Sequence, residues 1–373
     1  MISSEPAPSR PRIESLWERH LPLRDLSAWL GLAALAPFYR MGSAARLAFW
    51  RMMERGANIP VISIGNLTVG GNSKTPFTLF LAARLQSRGL RVGIVSRGHG
   101  RKRSRSRAEL IANGGEALLP PEDSGDEPAM MAKSFTGPIA VARRRIDGIA
   151  LLQSAGPLDV VILDDGFQHV RLKRDADLVL VGAEHGFGNG WVLPAGPMRE
   201  PIRAVRRADA VVIISSGAGD SAITPRQMKR LASRPVMHAT IRPRSLVVPE
   251  RKTWREVALP LSGRRAIAIS GLADPRNFYA MLRELDADLV GVFEYPDHYV
   301  YTSADWQAIM HAMRDADVAL TTEKDLVKLE RFPFARDSLY ALRLEVKMEA
   351  ADVQALDELI MDRIAHYARP AQA

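Results

Sequence analysis

Residues whose types and spacing could move a phosphoryl group cluster early in the chain. Thr68-Val69-Gly70-Gly71-Asn72-Ser73-Lys74-Thr75-Pro76 lies between a β-branched run and a helical stretch, the context a phosphate loop requires. In such a loop, successive backbone N–H groups and the helix N-terminus cradle phosphates, the Lys reaches the β/γ oxygens and the Thr hydroxyl binds Mg²⁺. Pro76 suits the first helical turn, where a missing N–H costs nothing. Thr68 and Ser73 stand where G-x-x-x-x-G-K-[ST] has its two glycines, so the pattern alone leaves an ordinary strand-to-helix turn open.

A second constellation is Val160-Val161-Ile162-Leu163-Asp164-Asp165-Gly166-Phe167-Gln168-His169. An apolar strand that ends in carboxylates is where phosphate-loop enzymes keep the acids that organise Mg²⁺. Asp-Asp-Gly alone is as often a turn. Together the two stretches point to nucleotide binding, with Thr75, Asp164 and Asp165 as metal candidates.

The elements that must position these residues follow from hydropathy. Runs at 61–64, 92–96, 160–163, 178–181 and 211–215 are apolar on both faces, as parallel strands covered by helices would be. A helix is expected over 75–88, closed by Gly89. The strand-then-helix rhythm gives an α/β, doubly wound domain carrying the phosphate loop. Residues 235–262 are Pro-rich, with Pro235, Pro243, Pro249 and Pro260 bracketing two short strand-like runs, and read as a connector. Alternation resumes at 266–270, 289–293 and 318–321, which predicts a second, smaller α/β domain. The expected division is 1–58, N-terminal membrane-associating helices; 59–235, the phosphate-loop domain; 236–262, connector strands; 263–373, the smaller domain.

The chain has 373 residues, a formal net charge of +9 and no cysteine. Absent cysteine excludes a disulfide scaffold, an iron–sulfur cluster and a Cys-based zinc site. The charge is localised: residues 61–110 hold ten basic residues against one acid, Glu109, which points to an anionic partner there. The tract Arg101–Arg107 reads as an exposed loop, and the dense run Arg97–Arg107 as a candidate clamp for a lipid phosphate or an anionic membrane. It has no interleaved aromatics for base stacking, and no nucleic-acid partner is expected. The apolar run Leu26–Tyr39 would span ~21 Å as a helix, short of the ~30 Å bilayer core, and Pro37 is expected to kink or end it. With the flanked stretch Ala44–Trp50 it reads as helices lying in an anionic interface or packed on the domain. A secretory signal is discounted because the nucleotide chemistry belongs in the cytosol.

Seven motifs in register now make the chain recognisable: IGNLTVGGNSKTP (64–76), SRGHGRK (96–102), GDEP (125–128), LDDGFQH (163–169), LPAGPMREP (193–201), YPDH (295–298) and TTEKDLVKL (321–329). They resemble those of the tetraacyldisaccharide 4'-kinase family. The resemblance implies Mg²⁺-assisted transfer of the ATP γ-phosphoryl group to the 4'-hydroxyl of a tetraacylated disaccharide 1-phosphate, the lipid A precursor. It also implies peripheral or monotopic association with the cell inner membrane, the catalytic part facing the cytoplasm, and two α/β/α domains joined by a two-stranded hinge. Carried over, residues Thr68, Val69, Gly70, Gly71, Asn72, Ser73, Lys74 and Thr75 hold ATP. Asp126 is the catalytic base partnered by His298, and Arg199 and Glu200 lie near the phosphates. A carboxylate that accepts the hydroxyl proton makes chemical sense of Asp126, and an imidazole can orient it. With Asp126 assigned to the first domain and His298 to the second, the pair is expected to form only on domain closure.

The bland readings stand beside these. Asp126-Glu127-Pro128 could cap a helix, His298 could be a structural hydrogen-bonding residue, and Glu323-Lys324-Asp325 reads as a charged helix start. This chain departs from the family's pattern at Ser73, where Gly is usual and an α-region turn is expected, and at His99, where Tyr is usual. A different phosphate-loop kinase or a nucleotide-dependent metallochaperone is the alternative function.

Overall fold

In the computed structural model, the described residues are 16–17, 26–70, 73–98, 101, 107–217, 219–250, 253–258, 260–333 and 338–368. The chain forms two compact units that interleave along the sequence. One comprises residues 9–96, 156–240 and 347–373, the other residues 1–8, 97–155 and 241–346. The chain passes from one unit to the other inside the long strand Val236–Glu250 and returns near the end of strand Leu339–Met348.

The first unit is built on parallel strands in the order Val92–Ser96, Val160–Asp164, Val61–Asn66, Ala176–Gly182, Ala210–Ser215 and the start of Val236–Glu250. Residues 61–66, 92–96, 160–164 and 176–182 are buried throughout, which explains their mostly apolar composition. Because the strands are parallel, Asn66, Ser96 and Asp164 all end on one edge, and that edge is where open α/β sheets bind ligands. The register aligns Ile64 with Asp164 and Val95 with Leu163. The helix after the first strand runs Lys74–Ser87, and Gly89 closes it at φ 83° with its N–H on the Gln86 carbonyl.

Leu26–Met52 is one continuous helix, so Pro37 does not end it and there is no helix pair over these residues. Pro37 is exposed, where a carbonyl freed from its helical partner can be solvated. At ~40 Å the helix is long, yet among the described residues no helix is long and apolar enough to cross a membrane.

The second unit has a parallel sheet ordered Asp288–Glu294, Arg265–Ser270, Val318–Thr322 and Leu339–Met348. It also holds an antiparallel pair, Leu246–Glu250 with Thr253–Val257, and an antiparallel set in which Glu109–Asn113 pairs with Ile139–Val141 and Glu116–Ala117. Its core packs Ala129 and Met130, from the short helix Asp126–Ala132, with Ile267, Ile269, Tyr301, Ala319, Leu326 and Val327. The two short runs expected at 236–240 and 246–248 are therefore one strand of 15 residues with Pro243 and Pro249 inside it, and Thr253–Val257 is a second strand of the connector.

Candidate active site

The phosphate-loop cluster belongs to the first unit. Thr68 forms a bridge with Met198, the Val69 N–H donates to the Pro197 carbonyl, and the Arg199 N–H donates to the Leu67 carbonyl. The loop is thus laid against the segment 193–201. Helix Leu26–Met52 supports that segment: Trp29 Nε1 donates to the Ala195 carbonyl (3.0 Å) and the Tyr39 hydroxyl to the Arg199 carbonyl (3.3 Å). Gly71 and Asn72 lie outside the described residues, as do His99 and residues 102–106.

Ser73 sits at φ 51°, ψ 31°, the left-handed region, and its side chain caps nothing. The expected α-region turn is corrected here: the usual Gly serves a conformation that strains Ser by roughly 1 kcal/mol or more. Lys74 Nζ donates to the Gly70 carbonyl (3.3 Å) and lies 3.7 Å from Asp165 Oδ1. Arg199 Nη1 is 3.1 Å from both oxygens of Asp165 and 3.3 Å from Gln168 Oε1. Asp165 itself has φ 52°. The turn is tight because a Cβ on Gly65 would meet the Phe167 backbone nitrogen at 2.8 Å, and one on Gly166 would meet Ser63 Oγ at 2.7 Å. Asp164 is buried at 1% exposure, accepting from the Thr78 hydroxyl at 3.3 Å and the Ser96 hydroxyl at 3.2 Å.

Glu200 goes elsewhere. Its carboxylate is buried and takes a bidentate contact from Arg207, at 2.6 and 2.9 Å, and the Arg207 guanidinium lies 4.5 Å over the Phe167 ring. Arg199 joins the Asp165 cluster, whereas Glu200 ties a neighbouring turn together. Arg101, read as part of an exposed tract, is 4% exposed and pairs with Glu109 at 3.2 Å.

Thr75, Asp164 and Asp165 supply hard oxygens that could hold a divalent cation. Mg²⁺ uses one or two carboxylates, keeps several waters and takes the rest from phosphate oxygens. That fits a site with no cluster of three or more His, Cys, Asp or Glu ligands among the described residues.

A second cluster of candidate residues belongs to the other unit. Asp126 opens helix Asp126–Ala132, after Gly125 at φ 91°. Its Oδ2 lies 3.1 Å from His298 Nδ1. Both residues belong to the same compact unit, so the pair exists within that unit and does not wait for the closure expected from the sequence. His298 is held at φ 60°, and its Nε2 lies 3.7 Å from Asp297 Oδ2. The hydrogen bond with Asp126 raises the His298 pKa against the effect of burial. Burial pushes the Asp126 carboxyl up, but His298, Lys328 and Lys324 outweigh it and hold the carboxyl below its usual range. The pair therefore keeps a carboxylate ionised in a largely dry place.

Sequence reasoning missed the cations around this pair. Helix Glu323–Leu329 is capped by Thr322, whose hydroxyl accepts the Asp325 N–H at 3.1 Å. Lys324 Nζ sits 2.6 Å from Asp297 Oδ1, and Lys328 Nζ sits 3.5 Å from Asp126 Oδ2. The signal was the four-residue spacing of Lys324 and Lys328, which puts both on one helix face. Glu323 pairs with Arg343 at 2.9 Å, and burial pushes its carboxyl pKa up. Gln168 was also missed; its amide donates to the Asn66 carbonyl at 2.8 Å and so links the acidic turn to the end of the first strand.

Comparison with known proteins gives the family. The family model for tetraacyldisaccharide-1-P 4'-kinase (LpxK) matches residues 28–365. A tetraacyldisaccharide 4'-kinase of Syntrophus aciditrophicus is 35% identical over 372 residues, covering 95% of this chain and 98% of the relative. One from Anaeromyxobacter sp. (strain K) is 39% identical over 363 residues, covering 91% and 93%. The crystal structure of LpxK from Aquifex aeolicus in complex with ATP superposes with a TM-score of 0.74 at 29% identity, covering 90% of this chain and 99% of that one. The chain belongs to the tetraacyldisaccharide-1-P 4'-kinase family.

Proposed function

We propose that this chain transfers the γ-phosphoryl group of ATP to the 4'-hydroxyl of tetraacyldisaccharide 1-phosphate. The observation that carries this reading is the cluster of Lys74, Asp165 and Arg199 beside the buried Asp164, at the carboxyl edge of one parallel sheet. Cations and acids at that edge suit a nucleotide triphosphate. The family match and the ATP held by the Aquifex aeolicus relative point the same way.

In this reading Gly70, the residues after it, Ser73 and Lys74 bind the β/γ phosphates. Thr75, Asp164 and Asp165 would hold Mg²⁺, which neutralises phosphate charge when bound. Arg199 orients Asp165 and adds a positive charge. Asp126 accepts the proton of the acceptor hydroxyl, and His298 orients the Asp126 carboxylate through Nδ1. As the new O–P bond forms, the bond between the γ-phosphorus and its bridging oxygen breaks and ADP leaves.

A membrane surface is part of the proposal. Leu30, Leu35, Phe38, Met41 and Phe49 are exposed along helix Leu26–Met52 beside exposed Arg40, Arg46 and Arg51, which suits an amphipathic helix lying on anionic lipid. The inner membrane's cytoplasmic face supplies such a surface.

The test is incubation of the purified protein with ATP, Mg²⁺ and tetraacyldisaccharide 1-phosphate in detergent, read by mass spectrometry. One phosphate gained on the distal sugar, and lost in Lys74→Ala, supports the reading. ATP hydrolysis with the lipid unchanged favours another phosphate-loop enzyme.

A further inference from the structure

Helix Glu323–Leu329, from the TTEKDLVKL motif, has no assigned part in the phosphoryl transfer described so far, yet it brings an ammonium group to the proposed base. Lys328 Nζ approaches Asp126 Oδ2, the same oxygen that faces His298 Nδ1. The approaches of His298 and Lys328 to Asp126 are both to Oδ2, and among the described residues no hydrogen bond reaches Oδ1. His298, at hydrogen-bond distance, and Lys328, as an ion pair at 3.5 Å, thus both lie on the Oδ2 side of the carboxylate, which leaves Oδ1 to accept a proton.

Lys328 is itself pinned. Its Nζ lies 2.9 Å from Oδ1 of Asp325, a fully buried carboxylate, and 5.2 Å from the centroid of the buried Tyr301 ring. Asp325 Oδ2 in turn accepts the Gly271 N–H at 2.9 Å and the Thr322 hydroxyl at 2.8 Å. Gly271 has no room for a side chain, since a Cβ there would lie 2.7 Å from Asp325 Oδ1. The chain Gly271, Asp325, Lys328, Asp126 therefore lies within one compact unit, with Lys328 only 8% exposed.

We propose that Lys328 is a positioning residue for phosphoryl transfer: anchored by Asp325, it holds Oδ2 of Asp126 so that Oδ1 stays free to take the acceptor hydroxyl's proton. The proposal rests on the kinase reading above. The competing account is purely structural, with Lys328 serving only to neutralise buried Asp325.

The two accounts part in kinetics on detergent-solubilised full-length protein, with ATP and tetraacyldisaccharide 1-phosphate as substrates. Lys328→Met is expected to lower kcat about 10- to 100-fold, with KM for both substrates within about twofold. The acidic limb of the kcat profile should move up by about one pH unit, because an ammonium facing Asp126 has gone. The groups still facing Asp126 are His298 and Lys324, with Asp297, Glu127, Asp325 and Tyr301 around them. The double variant Lys328→Met/Asp325→Asn removes both buried charges; it should regain thermal stability but keep the low kcat and the shifted limb. Lys328→Arg should recover part of the rate. A double variant with wild-type kcat and pH profile overturns the proposal in favour of the structural account, and so does a Lys328→Met enzyme indistinguishable from wild type. A wild-type protein that makes no phosphorylated lipid sinks the kinase reading, and this inference with it.

Discussion

Replacing Glu200 by Gln separates architecture from chemistry, because the structure turns this carboxylate away from the Asp165 cluster. The side chain is 5% exposed and Arg207, at 18%, grips it through both guanidinium nitrogens. Gln keeps the shape and one acceptor but sets an amide N–H against the second guanidinium nitrogen. Breaking a buried ion pair costs about 3–5 kcal/mol; one retained hydrogen bond and the partial exposure of Arg207 reduce this to about 2–3 kcal/mol. At about 2–4 °C per kcal/mol for a domain of this size, Tm should fall by about 5–10 °C. The Glu200→Gln/Arg207→Gln double variant should lose less than the sum of the two singles, as residues in one ion pair do. Calorimetry gives Tm, and lipid phosphorylation assayed well below that Tm should retain kcat within about threefold, since no step in the reaction uses this carboxylate. An unchanged Tm with kcat down a hundredfold would refute the assignment and return Glu200 to the phosphates.

Ser73→Gly relieves left-handed strain of about 1 kcal/mol but adds about 0.5–1 kcal/mol of chain entropy to the unfolded state. Tm should therefore move little and ATP affinity should hold or improve; a tenfold loss by calorimetric titration would show the loop geometry to be wrong. Asp164→Asn keeps the Thr78 and Ser96 contacts and should weaken the Mg²⁺ dependence of activity about 10- to 100-fold, so an unchanged Mg²⁺ titration midpoint counts against that role. His298 has a raised pKa, so its bond to Asp126 contributes stability fully below about pH 6.5 and loses it as pH rises through the raised value. Asp126, held low, contributes above about pH 4 and loses this as pH falls through the depressed value. His298→Gln should flatten the decline of Tm on the alkaline side, and a decline as steep as that of wild type would contradict the pairing.

What was legible in the sequence was local or buried on both faces. The strands at 61–66, 92–96 and 160–164 announce themselves because burial on both sides keeps them mostly apolar, with Ser63 inside and Asn66, Ser96 and Asp164 at their ends. The phosphate loop is readable because its chemistry lies within consecutive residues. His298 and Asp126 are 172 residues apart, and no hydropathy period records which compact unit each joins. That is why the pair was expected to await closure. The insertion of residues 97–155 into a unit made mostly of 241–346 is invisible for the same reason. Glu200 was placed beside Arg199 near the phosphates by the family resemblance, and no local pattern shows that Arg207, seven residues on, claims its carboxylate. Pro37 and Pro243 were read as breaks, but each sits inside a longer element whose remaining contacts hold it.

The most direct test is Asp126→Asn, measured for ATP binding and for lipid phosphorylation on the same preparation. The amide keeps the shape beside His298 and Lys328 but cannot take a proton. ATP affinity should stay within about twofold while 4'-phosphorylation falls by about 10²–10⁴. An Asp126→Asn protein that phosphorylates the lipid at the wild-type rate would contradict the account.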